Sequence, residues 1–166
     1  MTNTLAIIAA CAMGSAIARR MAENGARVLT SLKGRSQATV DRAHQAGMIS
    51  ASDEEIAAHA ELVLSVVPPG EALALAERLQ PVFERQSRRP IFMDCNAVNP
   101  GTLDRIRAAI GQDEHFLDTC IIGSPPKPGG GSAKANKYRR FSASNPAERG
   151  DNSSAKTAQL SPTLVR

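Results

Sequence analysis

Residues 9 to 14, Ala-Ala-Cys-Ala-Met-Gly, carry the spacing of the phosphate-binding turn G-x-G-x-x-G, with Ala9 and Cys11 standing where its first two glycines belong. In that motif the first glycine makes the tight turn, the second lets backbone touch a pyrophosphate, and the third lets the following helix pack closely. Gly14 supplies the third. The binding chemistry of such a turn belongs to the backbone: the N–H groups of Ala10, Cys11, Ala12 and Met13, with a helix dipole behind them, can hold an anion. Cys11 is the obstacle, because its Cβ and Sγ project toward the place where backbone and pyrophosphate should meet. A positive φ at Ala9 or Cys11 would cost about 1–2 kcal/mol each.

A second group, Ser31, Lys33, Arg35 and Ser36, follows the next strand-like stretch. An acidic residue there would bind the ribose hydroxyls of NAD and repel a 2′-phosphate. Two cations and two hydroxyls suit a phosphate, so the expected cofactor is NADP, with NAD the less favoured. His44, His59 and His115 have no partners in the sequence pattern, and no acid–base catalyst is identified. Cys11, Cys95 and Cys120 are odd in number, widely spaced and without a C-x-x-C pair, so they indicate neither a disulfide framework nor a metal site. A reducing cytoplasm fits them.

These groups need a scaffold, and the periodicity supplies one. Leu5 onward reads as a buried strand, and Met13, Ile17 and Met21 mark one face of a helix running to about Asn24 and closed by Gly25. Residues 27–31 read as a second strand, and 36–46 as a helix ended by Gly47. Ser52-Asp-Glu-Glu55 is a capping box that opens a short helix reaching His59. The Val- and Leu-rich run 61–67, stopped by Pro68-Pro69-Gly70, reads as a strand buried on both faces. Leu75, Leu79, Val82 and Phe83 share a helical face that Pro81 should kink or divide. Residues 90–94 and 115–122 are further strands, separated by a helix with Asn99 as N-cap and Pro100 at its first position. Five strands alternating with helices predict an α/β, doubly wound parallel sheet of the Rossmann kind over residues 1–123.

Residues 5 to about 145 resemble the cofactor-binding half of the β-hydroxyacid dehydrogenases, which include 6-phosphogluconate and 3-hydroxyisobutyrate dehydrogenases. The matching pieces are Ala12-Met13-Gly14, Val66-Val67-Pro68-Pro69, Asp94-Cys95-Asn96-Ala97 and the stretch from Asp118 to Gly123. The resemblance implies that Ala12 and Met13 lie along the pyrophosphate, Arg35 and Ser36 at the 2′-phosphate, and Val67 with Pro68 beside the riboses. It implies that Asn96 faces the nicotinamide or substrate, and that Gly123 and Ser124 meet the substrate's polar groups. The implied chemistry is hydride transfer. Asn96-Ala97 and Ser124 depart from the family's Ser-Thr pair and second substrate glycine. In the family a helical domain carries the catalytic lysine and usually the dimer contacts. No lysine here fits its pattern, so the chain is expected to be truncated, weak or inactive alone, and dimeric only together with that domain.

Residues 124–166 carry eight Lys and Arg against two acidic residues, which places the +4 net charge of the 166-residue chain in this segment. Its Pro, Gly and Ser content and few large apolar residues predict a mostly disordered basic tail, with an edge strand over 137–143. The alternative function is a non-catalytic interaction module whose tail binds an anionic partner. With 3% aromatic residues and no Trp, no nucleic-acid partner is expected. No apolar run approaches a membrane span, and Ile8-Ala9-Ala10-Cys11 lacks the flanks of a lipoprotein signal.

Overall fold

The computed structural model describes residues 3–8, 11–111, 113–126, 134–137 and 157–159. Strands β1 (Thr4–Ile8), β2 (Arg27–Thr30), β3 (Ile49–Ser50), β4 (Leu62–Ser65), β5 (Ile91–Asp94) and β6 (Phe116–Ile122) form a parallel sheet in the order β3-β2-β1-β4-β5-β6. Two short strands, β7 (Lys134–Lys137) and β8 (Thr157–Gln159), extend it antiparallel beyond β6. Between the parallel strands run α1 (Ala12–Glu23), α2 (Gln37–Gln45), α3 (Asp53–His59), α4 (Ala72–Glu84) and α5 (Pro100–Ile110). This is the Rossmann-like α/β fold expected.

The alternation of side chains along each strand divides the core in two. On one face Ile8, Val63, Phe92 and Phe116 pack with Ile56, Leu75, Leu79, Phe83, Ile106 and Ile110 of α3, α4 and α5. On the other, Leu5, Ile7, Val28 and Leu64 pack with Ile17, Ala18, Ala43 and Ala46 at α1 and α2. Helices cover both faces of the sheet, so β1 and β4 are almost wholly apolar, broken only by Thr4 at the start of the one and Ser65 at the end of the other.

Local chemistry sets the helix ends. The Ser52 hydroxyl accepts from Glu55 N at 3.1 Å while the Glu55 carboxylate accepts from Ser52 N at 2.7 Å, the expected reciprocal cap. Asn99 Oδ1 accepts from Thr102 N at 2.9 Å, and Gly111 closes α5 at φ +81°.

Three expectations change. A sixth parallel strand, β3, lies between α2 and α3; its two exposed residues carry no apolar period. Helix α4 continues through Pro81, because buried Ala72, Leu75, Ala76, Leu79, Val82 and Phe83 hold the turns on both sides of it. A strand is present at Lys134–Lys137, which meets the one expected over 137–143 at Lys137 alone; residues 138–143 lie outside the described residues. The expected disorder over 145–166 likewise falls outside them, apart from β8.

Candidate functional site

Chain order reverses at β1: β2 and β3 continue to one side, and the chain then crosses over to place β4 on the other. Crevices at such a switch point, beyond the carboxyl ends of the strands, are where open α/β sheets bind ligands. Three turns border it here, those leaving β1, β4 and β5.

Ala9 and Ala10 lie outside the described residues. Cys11 is exposed and acts as the N-cap of α1, with φ −73° and ψ 174°, so it is extended and unstrained; the positive φ considered above is absent. Its Sγ accepts from Gly14 N at 3.4 Å and donates to Val66 O at 3.7 Å. The thiol thus occupies one of the helix's free donors and ties the turn leaving β1 to the turn leaving β4. The N–H groups of Ala12 and Met13 have no partner among the described residues, and they remain at the positive end of the helix dipole. Gly14 is buried, and Met13 packs on the core beside it.

On the far side of β1, Ser31, Lys33, Arg35 and Ser36 follow β2. Lys33 and Arg35 are exposed. Gly34 turns the loop at φ +74°, and Ser36, the N-cap of α2, pairs its hydroxyl with that of Thr39 at 3.0 Å. No carboxylate lies among residues 31–36.

The exits of β4 and β5 contain a polar network that local sequence patterns gave no means of assembling. Ile8, Ser65, Asp94 and Asp118 are successive register partners across β1, β4, β5 and β6. Asn96 Nδ2 donates to Ser65 Oγ at 2.8 Å and to Asp94 Oδ1 at 2.6 Å, while its Oδ1 accepts from Val67 N at 2.8 Å. Thr119 Oγ1 donates to Asp94 O at 2.9 Å. Asp94 is fully buried, and its Oδ2 has no partner among the described residues. Burial pushes its carboxyl up from 3.8 to about 6; hydrogen bonds from Asn96 and Ser65 hold it down, and the charge of Asp118 adds to the rise. Burial also raises Asp118, while Arg107 opposes it.

Val67 is buried and Pro68 exposed beside this network. Gly123, at φ +118°, and Ser124 are exposed, and they follow a β6 that continues past Asp118 to Ile122. They therefore stand on the order of 15 Å beyond the Ser65–Asp94–Asp118 row, whereas Cys11 is bonded to Val66 and Asn96 to Val67.

Cys95 follows β5 and is buried, and burial pushes its thiol up to about 12 despite the Thr119 hydroxyl 3.3 Å away. Thiol reagents act on thiolates. In the native protein at about pH 8 a thiol-specific alkylating reagent is therefore expected to label exposed Cys11 and leave Cys95 unlabelled until the chain is denatured. Peptide mapping that finds Cys95 labelled as fast as Cys11 would contradict this burial.

The sequence matches the family model described as the NAD binding domain of 6-phosphogluconate dehydrogenase over residues 4–135, and the chain belongs to that family. It is similar to conserved protein MTH1747, described as structurally similar to 3-hydroxyacid dehydrogenases, with 29% identity and a TM-score of 0.68, covering 81% of this chain and 49% of that one. A conserved protein from Sinorhizobium meliloti 1021 follows at 25% identity and a TM-score of 0.62, with 75% and 43% covered. The fold is also shared with Mycobacterium tuberculosis 3-hydroxyisobutyrate dehydrogenase, at 20% identity and a TM-score of 0.59, with 75% and 42% covered. The chain thus spans less than half the length of each of these structures. No curated protein matches it. Among the described residues no helix is long and apolar enough to cross a membrane, and no three His, Cys, Asp or Glu side chains group as a metal site.

Proposed function

We propose that this chain binds NADP at the β1/β4 switch point as the dinucleotide-binding unit of a hydroxyacid dehydrogenase-like oxidoreductase. The reading is carried by the N-terminus of α1, where the N–H groups of Ala12 and Met13 point into the crevice end of the sheet without partners among the described residues. The pyrophosphate would lie against these donors, the riboses along Val67 and Pro68, and a 2′-phosphate among Ser31, Lys33, Arg35 and Ser36. The residues fit the group with one departure, the Cys11 thiol on Gly14 N.

Bound there, the nicotinamide would supply hydride transfer. The chain contributes binding and orientation, and the acid–base step falls to a helical partner domain; Gly123 and Ser124 would face the substrate. The family match over residues 4–135 supports the cofactor-binding part of this division.

Titration with NADPH tests the binding, and no binding at millimolar cofactor overturns it. The phosphate loop is tested by preference. Lys33→Ala with Arg35→Ala is expected to weaken NADPH binding about fivefold and leave NADH binding nearly unchanged, since two exposed cations contribute roughly 0.5 kcal/mol each toward a phosphate. Equal loss for both cofactors would remove the case for a 2′-phosphate site.

A further inference from the structure

We propose that Asn96 is a positioning residue, whose side-chain amide sets residues 66–68 for the dinucleotide and does not itself touch the dinucleotide. The inference rests on the binding reading above for its affinity arm alone.

The hydrogen-bonding capacity of Asn96 is nearly spent within the fold. A side-chain amide has two N–H donors and one carbonyl oxygen. Both Asn96 donors are committed, to Ser65 Oγ and Asp94 Oδ1, and the oxygen already accepts from Val67 N. The residue is only 9% exposed. A nicotinamide carboxamide oxygen would have to displace one of the two donated bonds and strand the Ser65 hydroxyl or the buried Asp94 carboxylate, and the amide oxygen's one remaining lone pair belongs to a side chain almost wholly buried.

What the bonds hold is the segment just beyond the last ladder residue of β4, Ser65. Val66 N donates to Ile8 O at 3.2 Å, Val66 O accepts from the Cys11 thiol, and Val67 N is satisfied by Asn96. Pro68 has no N–H to offer. Two consecutive residues are thus fastened at three atoms to the turns that leave β1 and β5, and Asn96 is the side chain that bridges β4 to β5. Among the described residues nothing else bonds to the Val67 amide. A shorter side chain at 96 would release it and, with it, the path of the residues expected to lie along the riboses.

Amide hydrogen exchange of Val67, read together with NADPH affinity, tests the proposal. Asn96→Ala is expected to speed exchange at Val67 about tenfold or more while Val63 and Leu64 of β4 keep their protection. NADPH affinity should fall about fivefold. Asn96→Ser, too short to reach Val67, serves the same comparison where the alanine variant does not fold. The double exchange Asp94→Asn with Asn96→Asp reverses donor and acceptor between the two residues and keeps an acceptor for Val67 N. It should return both readings to within about twofold of the native chain, an effect that loss of packing alone would not produce.

Unchanged exchange at Val67, or exchange rising equally through β4, would overturn the proposal. So would a released Val67 with undiminished affinity. A native chain that fails to bind NADPH removes the dinucleotide reading, and Val67 exchange then decides by itself whether Asn96 positions the segment.

Discussion

Between about pH 4 and about pH 7.5 this chain is expected to lose roughly 2 kcal/mol more stability than its Asp94→Asn variant. The carboxyl lies fully buried at the end of β5 and is pushed up from 3.8 to about 6, chiefly by loss of water. Its folded form therefore holds a proton more tightly than the unfolded chain does. The stabilisation is present in full below the unfolded value, declines as pH rises toward about 6, and is absent above it. The gap between the two values corresponds to about 3 kcal/mol at most. The amide of the Asp94→Asn variant would keep an oxygen to accept from Asn96 and would place its NH2 where Oδ2 now lies unpartnered, a penalty that does not vary with pH. Denaturant unfolding of both proteins across this range measures the difference directly, and subtraction cancels the opposite trend from Glu55, whose carboxyl is held low by Ser52. Asp118 shifts in the same direction as Asp94 and is common to both proteins. A flat difference curve would show that Asp94 does not carry its burial as a shifted carboxyl.

The second large effect concerns binding. Cys11→Gly is expected to tighten NADPH binding somewhat more than tenfold. The substitution frees Gly14 N, which the thiol now occupies, so a third N–H joins those of Ala12 and Met13. A hydrogen bond to a charged phosphate contributes about 1.5 kcal/mol or more, which converts to that factor. It also clears the Cβ from the path of the pyrophosphate. The loss in stability should be small, because glycine is itself a fair N-cap, and the bond given up to Val66 O is a long sulfur contact. Isothermal titration of the two proteins provides the comparison. Equal or weaker binding by the glycine variant would mean that the thiol's tie to Val66 matters more than the donor it occupies.

The fold was legible where stabilisation is local. The capping box at Ser52, the Asn99-Pro100 start and Gly111 each work within one turn, and so they are written in adjacent residues. β1 and β4 were legible because burial on both faces demands apolar stretches such as Leu5–Ile8 and Leu62–Leu64. β3 was hidden, since two exposed residues on an edge obey neither period. The Val- and Leu-rich run 61–67 reads as strand throughout, yet Val66 and Val67 are buried as a turn whose partners are Ile8, Cys11 and Asn96. In the site, Gly14 and its neighbours followed from spacing. The cap made by Cys11 did not, because a thiol is an uncommon capping acceptor and the sequence shows only a missing glycine. Nor did the Ser65–Asp94–Asn96 network, whose members meet only after β4 and β5 pair.

The central position of β1 also orders the assembly of the molecule in time. Leu5 is partnered by Val28 on one side and by Leu62 on the other. Closing the longer of these loops costs about 0.8 kcal/mol more entropy than closing the shorter one. As the chain leaves the ribosome, the first half of the sheet can form early, but the Cys11 thiol has no Val66 carbonyl to meet until β4 arrives. The crevice is therefore complete only once β4 has been made, although its first wall, the turn leaving β1, precedes β4 in the chain.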